Sequence, residues 1–236
     1  MPLTIEVCLT PKLINQHALQ GKIAIVVDIF RATSCIITAL SENSAAIYPV
    51  STVDECLKLG NQGMLTAGER GGIKIEGFDL GNSPLDYLGK VSGKEIAIST
   101  TNGTIAVEKS KGAEQVIIGS FLNIAATHDY LIDQNLPVVI HCAGWRGAPN
   151  IEDTLYAGAL SHQLDGHGYL AINDSAKMAI DLYRQNINSL LQTALKSDHA
   201  ERLRKFGMNK DLDFCLQVNK YLNLNGKLKG SKIVKI

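Results

Sequence analysis

The sequence predicts a three-layer α/β/α fold, with a mostly parallel or mixed sheet between two helical layers and a helical C-terminal flank. Three observations carry this reading. Runs centred on Ile25, Ile98, Ile118 and Val139 are continuously apolar, as in strands covered on both faces. Helical patterns alternate with these runs, an order that builds layered α/β folds. Beyond Asn173 the strand-like runs give way to amphipathic helical segments.

In chain order, the strands are "TIEVCL", "KIAIVVDI", "AIYPV", "MLTA", "KEIAIST", "QVIIGS" and "VVIHCA". Helical patterns fall at 32–44, 52–61, 104–111, 122–134 and 152–163. The flank is "SAKMAIDLYRQNINSLLQTALKS", "AERLRKF" and "DLDFCLQVNKYL". Residues 1–172 are accordingly a core that carries the motifs, and 173–236 a helical flank packed on the same domain.

The chain has 236 residues, 45% of them apolar and 19% charged, enough for a substantial core. Lys plus Arg and Asp plus Glu both number 23, so the net charge of zero favours neither nucleic acid nor an anionic membrane as a partner. No apolar run approaches the roughly 20 residues of a membrane span. The start, "MPLTIEVCLT", lacks a signal-like apolar core, so a cytoplasmic protein is expected. Five cysteines without a C-x-x-C pair argue against a disulfide framework and a structural zinc site. A homodimer is an option that the sequence leaves open.

Chemistry collects at strand ends. "IVVDIFRATS" closes a buried strand with Asp28 and then offers Arg31, Thr33 and Ser34. "IAISTTNGTIAV" supplies Thr101, Asn102, Gly103 and Thr104, and "VIIGSFLNIAA" supplies Gly119 and Ser120. "VVIHCAGWRGAPNIEDTLYAG" gives Cys142 and Arg146, then Glu152 and Asp153 in the first turn of the next helix. Ligands of open α/β sheets bind beyond the carboxyl ends of strands, where helix N-termini welcome anions. Four such junctions on one rim would make a polyanion site. Each also has an ordinary reading, since Ser, Thr and Asn cap helices and acids in a first turn complement the helix dipole. Asp28 resists that reading, because a carboxylate ending "IAIVVD" loses its hydration unless a metal, cation or backbone donor meets it.

The stretch "AGERGGIKIEGFDLGNSP" (67–84) interleaves five glycines with Glu69, Arg70, Lys74, Glu76 and Asp79. Its apolar residues would pin it to the body while its charges face a ligand. Common signatures are missing: there is no P-loop, no G-x-G-x-x-G after a strand and no second aspartate two residues beyond Asp28. Cys142 has no arginine at the spacing of the cysteine phosphatases, so it is expected to be dispensable. The histidines, His199 among them, are scattered and read as structural. A Mg²⁺ site of carboxylates and water is favoured over a softer metal.

Taken in order, "VVDIFRATS", "AGERGGIKIEGFDLGNSP", "STTNGT", "IIGSFLN", "CAG" and "EDTLYAGA" resemble the 2-phosphosulfolactate phosphatase family. The match runs from about 26 to 158, with weaker similarity in "SDHAERLRKFGMNKDLDFCLQV"; the tail "VNKYLNLNG" departs from the family pattern. The resemblance implies a family-specific α/β/α fold and a Mg²⁺-dependent phosphatase. Its substrate would be a small polyanion, phosphosulfolactate, on a route to coenzyme M. It implies catalytic roles for Asp28, Arg31, Arg70, Glu152 and Asp153. Substrate or phosphate contacts fall to Thr33, Ser34, Gly68, Lys74, Thr101, Asn102, Gly103, Thr104 and Ser120, and metal ligation to Asp28, Glu69, Glu152 and Asp153. Arg146 stands outside the matching motifs. A sensor of a phosphorylated metabolite, or a lyase or isomerase on a phosphorylated hydroxy acid, would use a similar anion site.

Overall fold

Strand β2 (Ile23–Val27) is buried at every residue, so it belongs where both faces are covered. In the computed structural model, which describes residues 2–236, it pairs in parallel with β7 (Gln115–Gly119) and β8 (Val138–Cys142). Strand β1 (Thr4–Cys8) continues the parallel run beyond β8, and the short β9 (Leu170–Ala171) closes that edge. A second parallel set contains β3 (Ala46–Pro49), β6 (Glu95–Ser99) and β4 (Leu65–Arg70), edged by the antiparallel β5 (Ile73–Lys74).

A hairpin from the end of the chain joins the two sets. Strands β10 (Gly226–Lys229) and β11 (Lys232–Lys235) lie antiparallel to β7 and β3 respectively. The eleven strands run β5-β4-β6-β3-β11-β10-β7-β2-β8-β1-β9. The fold is thus α/β with a mixed sheet. The seven strands and five helices read from the sequence are all present, but the flank also supplies two central strands, which helical patterning alone does not anticipate.

Alternation along β2 separates the layers. Ile23, Ile25 and Val27 face a core shared with α4 (Ile124–Gln134), α5 (Ile151–Asp165) and α6 (Asp174–Asn186). Ala24 and Val26 face the opposite core, under α1 (Ala32–Ser41) and α3 (Gly103–Lys109). Each buried Ile or Leu contributes roughly 1.5–3 kcal/mol relative to exposure, so both cores hold the strand ends in place. Helix α2 (Val53–Gly60) opens with a capping box between Thr52 and Glu55 and covers a third, small cluster around Cys56, Phe78 and Ala97.

Helices α5 and α6 pack closely because residue 158 is glycine: a Cβ there would sit 2.0 Å from the Ala179 carbonyl oxygen. The flank then runs through α7 (Leu190–Ala194), α8 (Asp198–Lys205) and α9 (Asn209–Cys215). Ala200 and Leu203 bury one side of α8 in the core and leave His199 and Arg202 lining a cavity. The divergent tail docks on α4: Asn219 donates its N–H to the Phe121 carbonyl (2.9 Å), and its Oδ1 accepts from Ala125 N (2.8 Å). No described helix is long and apolar enough to cross a membrane.

Candidate active site

Asp28 follows β2 directly, 6% exposed, at the floor of a cavity of about 260 Å³. Its backbone is locked by Thr33, whose Oγ1 accepts from Asp28 N (3.1 Å) and donates to Asp28 O (2.9 Å). Burial pushes the Asp28 carboxyl up to about 6; His199 pulls it down, while Glu69 and Glu152 push it further up. Gly103 lets the start of α3 close over this carboxylate: a Cβ at 103 would lie 2.6 Å from Ala32 Cβ and 2.9 Å from Asp28 Oδ2.

The other acids divide by what their oxygens already hold. Glu69 accepts from Thr101 N (2.8 Å) and Gly72 N (2.6 Å), clasping the glycine-rich loop to the β6–α3 turn. Asp153 accepts from Ile29 N (2.8 Å), Gly144 N (3.1 Å) and Asn150 Nδ2 (3.1 Å). Burial and the adjacent Glu152 push its carboxyl upward against those donors. Glu152, fully buried, bonds His199 Nδ1 through Oε1 (3.0 Å), while its Oε2 has no partner among the described residues. A buried carboxylate oxygen left bare is costly and points to a missing guest.

Arg31 is 3% exposed; it forms an ion pair with Asp211 of α9 and donates to Gly72 O (2.9 Å). Asp211 also accepts from Ser83 Oγ (2.8 Å), so one network joins α1, the glycine-rich loop and the flank. The cavity itself is lined by Asp28, Arg31, Glu69, Thr101 and Asn102 from the sequence-predicted set. Gly71, Gly72 and Asn82 come from the loop, Phe30 from the β2–α1 junction, Trp145 and Arg146 from the segment after β8, and His199, Arg202 and Leu203 from α8.

Several expected contacts are not brought there. The Ser34 hydroxyl donates to Ile29 O (3.0 Å) and meets Ser120 Oγ (3.0 Å), both fully buried. Thr104 Oγ1 returns to Thr100 O (2.8 Å). Gly68, at φ +150°, serves strand approach, since its Cβ would lie 2.1 Å from Ser99 O. Arg70 points to Ser99 and to the carbonyl of Glu69, off the cavity wall. Lys74 is exposed and donates to Asp79 O (2.9 Å); it is not on the cavity wall but lines an adjoining groove that shares Arg31, Gly72 and Asn82 with it. Glycines and hydroxyls in a motif serve backbone geometry as readily as ligands, and sequence alone does not separate the two.

His199, read from the sequence as structural, stands at the wall, its ring stacked on Trp145 at 5.4 Å between centroids. Nothing local in "SDHAERL" marks it; only the fold carries α8 to Glu152. Among the described residues no three His, Cys, Asp or Glu side chains form a metal cage.

A family model for 2-phosphosulpholactate phosphatase matches residues 8–225. The chain belongs to the 2-phosphosulfolactate phosphatase family. Its relatives include a probable 2-phosphosulfolactate phosphatase of Caldanaerobacter subterraneus subsp. tengcongensis, 41% identical over 88% of each chain. Those of Thermotoga petrophila and Nostoc sp. are 38% and 40% identical, covering 90% and 83% of this chain and 92% and 84% of theirs. The family match thus includes α8 and α9, which hold His199, Arg202 and Asp211.

In this family member Cys142 is wholly buried, and burial with Asp153 nearby raises its thiol well above the ordinary value. Such a thiol is not a nucleophile. Cys142→Ala should keep kcat/KM, with a melting-temperature loss as its only cost. Substrate-protected inactivation by a thiol reagent, absent in the variant, would show the opposite.

Proposed function

We propose that the protein hydrolyses the phosphate monoester of 2-phospho-3-sulfolactate, releasing 3-sulfolactate and inorganic phosphate, as a Mg²⁺-dependent step of the coenzyme M type. The observation that carries this reading is Asp28, a buried strand-end carboxylate raised toward neutrality, facing a small cavity that also holds arginines. The printed names of the relatives agree with it.

Asp28 acts at the phosphoryl group, as nucleophile or as the base for an attacking water; a carboxyl near 6 suits either task. Arg31, fixed by Asp211, holds phosphoryl oxygens and stabilises their charge in the transition state. Glu152 holds the His199 ring through Nδ1, so the imidazole can exchange a proton with the leaving oxygen. Phe30, Trp145 and Leu203 limit water around the reacting centre.

For Mg²⁺ the candidate oxygens are those of Asp28, which lines the cavity, and the unpartnered Glu152 Oε2 buried behind it, whereas backbone amides occupy both oxygens of Glu69 and of Asp153. Bound there, the ion would polarise a phosphoryl oxygen and offset the charge of the two acids. The test is phosphate release from 2-phosphosulfolactate and a panel of phosphorylated 2-hydroxy acids. Chelation should abolish turnover, and Mg²⁺ should restore it better than Zn²⁺. Full activity after exhaustive chelation removes the metal. Substrate consumption without phosphate release would indicate a lyase or isomerase instead.

A further inference from the structure

The cavity is lined by groups of both charge signs. Asp28, Glu69 and His199 line it, with Glu152 buried behind His199, and Arg31 shares its charge with Asp211. Two other guanidinium groups line it, those of Arg146 and Arg202, and among the described residues neither forms a salt bridge.

Both are held in place. The Arg146 guanidinium lies 4.6 Å from the centroid of Trp145, and that of Arg202 lies 6.0 Å from the same ring and 5.5 Å from that of Phe206. Arg202 Nη2 donates to Gly71 O (2.7 Å), tying α8 to the glycine-rich loop. Arg146 stands at the tip of a two-residue turn closed by Trp145 N to Ala148 O (2.8 Å) and Ala148 N to Trp145 O (3.0 Å). Its two central residues, Arg146 and Gly147, have φ of +53° and +76°. That is the primed turn geometry, which favours Asn or Gly in the first central place and makes arginine there uncommon. Two cations near one indole repel each other, and a bound anion would offset that repulsion.

We propose that Arg146 and Arg202, braced by Trp145, clamp a second anionic group of the substrate, the sulfonate or carboxylate beyond the phosphate, and so set which phosphate esters the site accepts. This deepens the phosphatase reading above and rests on it. The clamp places specificity on the segment after β8 and on α8, away from Lys74 and Arg70. Guanidinium forks match the fixed negative charge and multiple oxygens of such acids.

The test uses Arg202→Gln and Arg146→Gly, with inhibition constants for 3-sulfolactate and for inorganic phosphate measured in the same hydrolysis assay. Each variant should weaken 3-sulfolactate about ten- to a hundredfold while phosphate stays within about twofold, as expected for loss of one charge-assisted contact. Arg146→Gly should melt no lower than the wild type, because glycine suits the positive φ. Parallel weakening of both inhibitors, or no weakening of either, overturns the clamp. If the wild type releases phosphate from no ester, the phosphatase reading fails on its own. Calorimetric titration of 3-sulfolactate into the wild type and Arg146→Gly then decides the clamp: tighter binding to the wild type supports it, and equal or absent binding refutes it.

Discussion

Asp28→Asn should cut turnover by orders of magnitude and, in the presence of chelator at neutral pH, raise the melting temperature. Both effects come from one carboxylate. Burial and the neighbouring acids lift its pKa from 3.8 to about 6, so the folded state holds a proton that the unfolded chain releases earlier. The sign follows from linkage. Below about pH 4 both states are protonated and Asp28 costs nothing; through the interval from about 4 to 6 stability falls, and above it the loss is complete. A rise of about two units corresponds to roughly 3 kcal/mol. Asparagine cannot ionise, so the variant should recover part of that sum at pH 7 to 8. At roughly 2–4 °C per kcal/mol for a domain of this size, the gain is several degrees. The gain should vanish near pH 4. Turnover should fall by about two to four orders of magnitude, because the amide neither attacks nor accepts a proton. Superimposable stability curves across pH, together with near-normal turnover, would reduce Asp28 to a structural residue.

Much of this layout is legible in the sequence, and the boundary has physical causes. The strands around Ile25, Ile98, Ile118 and Val139 are readable because burial on both faces demands uninterrupted apolar runs. Asp28 is readable for the same reason, since such a run makes its terminal charge conspicuous. The hairpin of β10 and β11 is hidden by its lysines, although "KLKGSKIVK" alternates across a Gly-Ser turn with Gly230 at φ +61°. Thr33, Ser34, Ser120 and Thr104 sit in the right motifs, yet their hydroxyls spend their bonds on backbone and, for Ser34 and Ser120, on each other. Arg70 and Lys74 share a loop with Glu69, but the antiparallel β4–β5 pairing and the bonds to Ser99 and Asp79 carry their charges off the cavity wall. His199, Arg202 and Asp211 reach the site through tertiary packing of α8 and α9 alone. Local pattern contains no record of that packing.

Arg31 and Asp211, 180 residues apart in sequence, should show strong coupling in stability and none of the same symmetry in activity. Arg31→Ala leaves a buried carboxylate with only Ser83 Oγ as a donor among the described residues, and breaking a buried pair from one side costs about 3–5 kcal/mol. Asp211→Ala leaves a guanidinium that still holds the Gly72 carbonyl and still lines the cavity. Removing both partners should cost less than the sum of the single losses, by about 1–3 kcal/mol, because no charge is then stranded. Activity should follow a different rule. Arg31→Ala and the double variant should both lose kcat by about a hundredfold or more, since the cation that meets the phosphoryl oxygens is gone from each. Asp211→Ala should retain more activity than either, despite comparable destabilisation. Denaturant titration of the four proteins gives the stability cycle, and steady-state kinetics below their melting temperatures give the activity cycle. Additive stabilities would mean that the pair is not coupled. A double variant that regained turnover along with its stability would mean that Arg31 serves the fold and not the phosphoryl group.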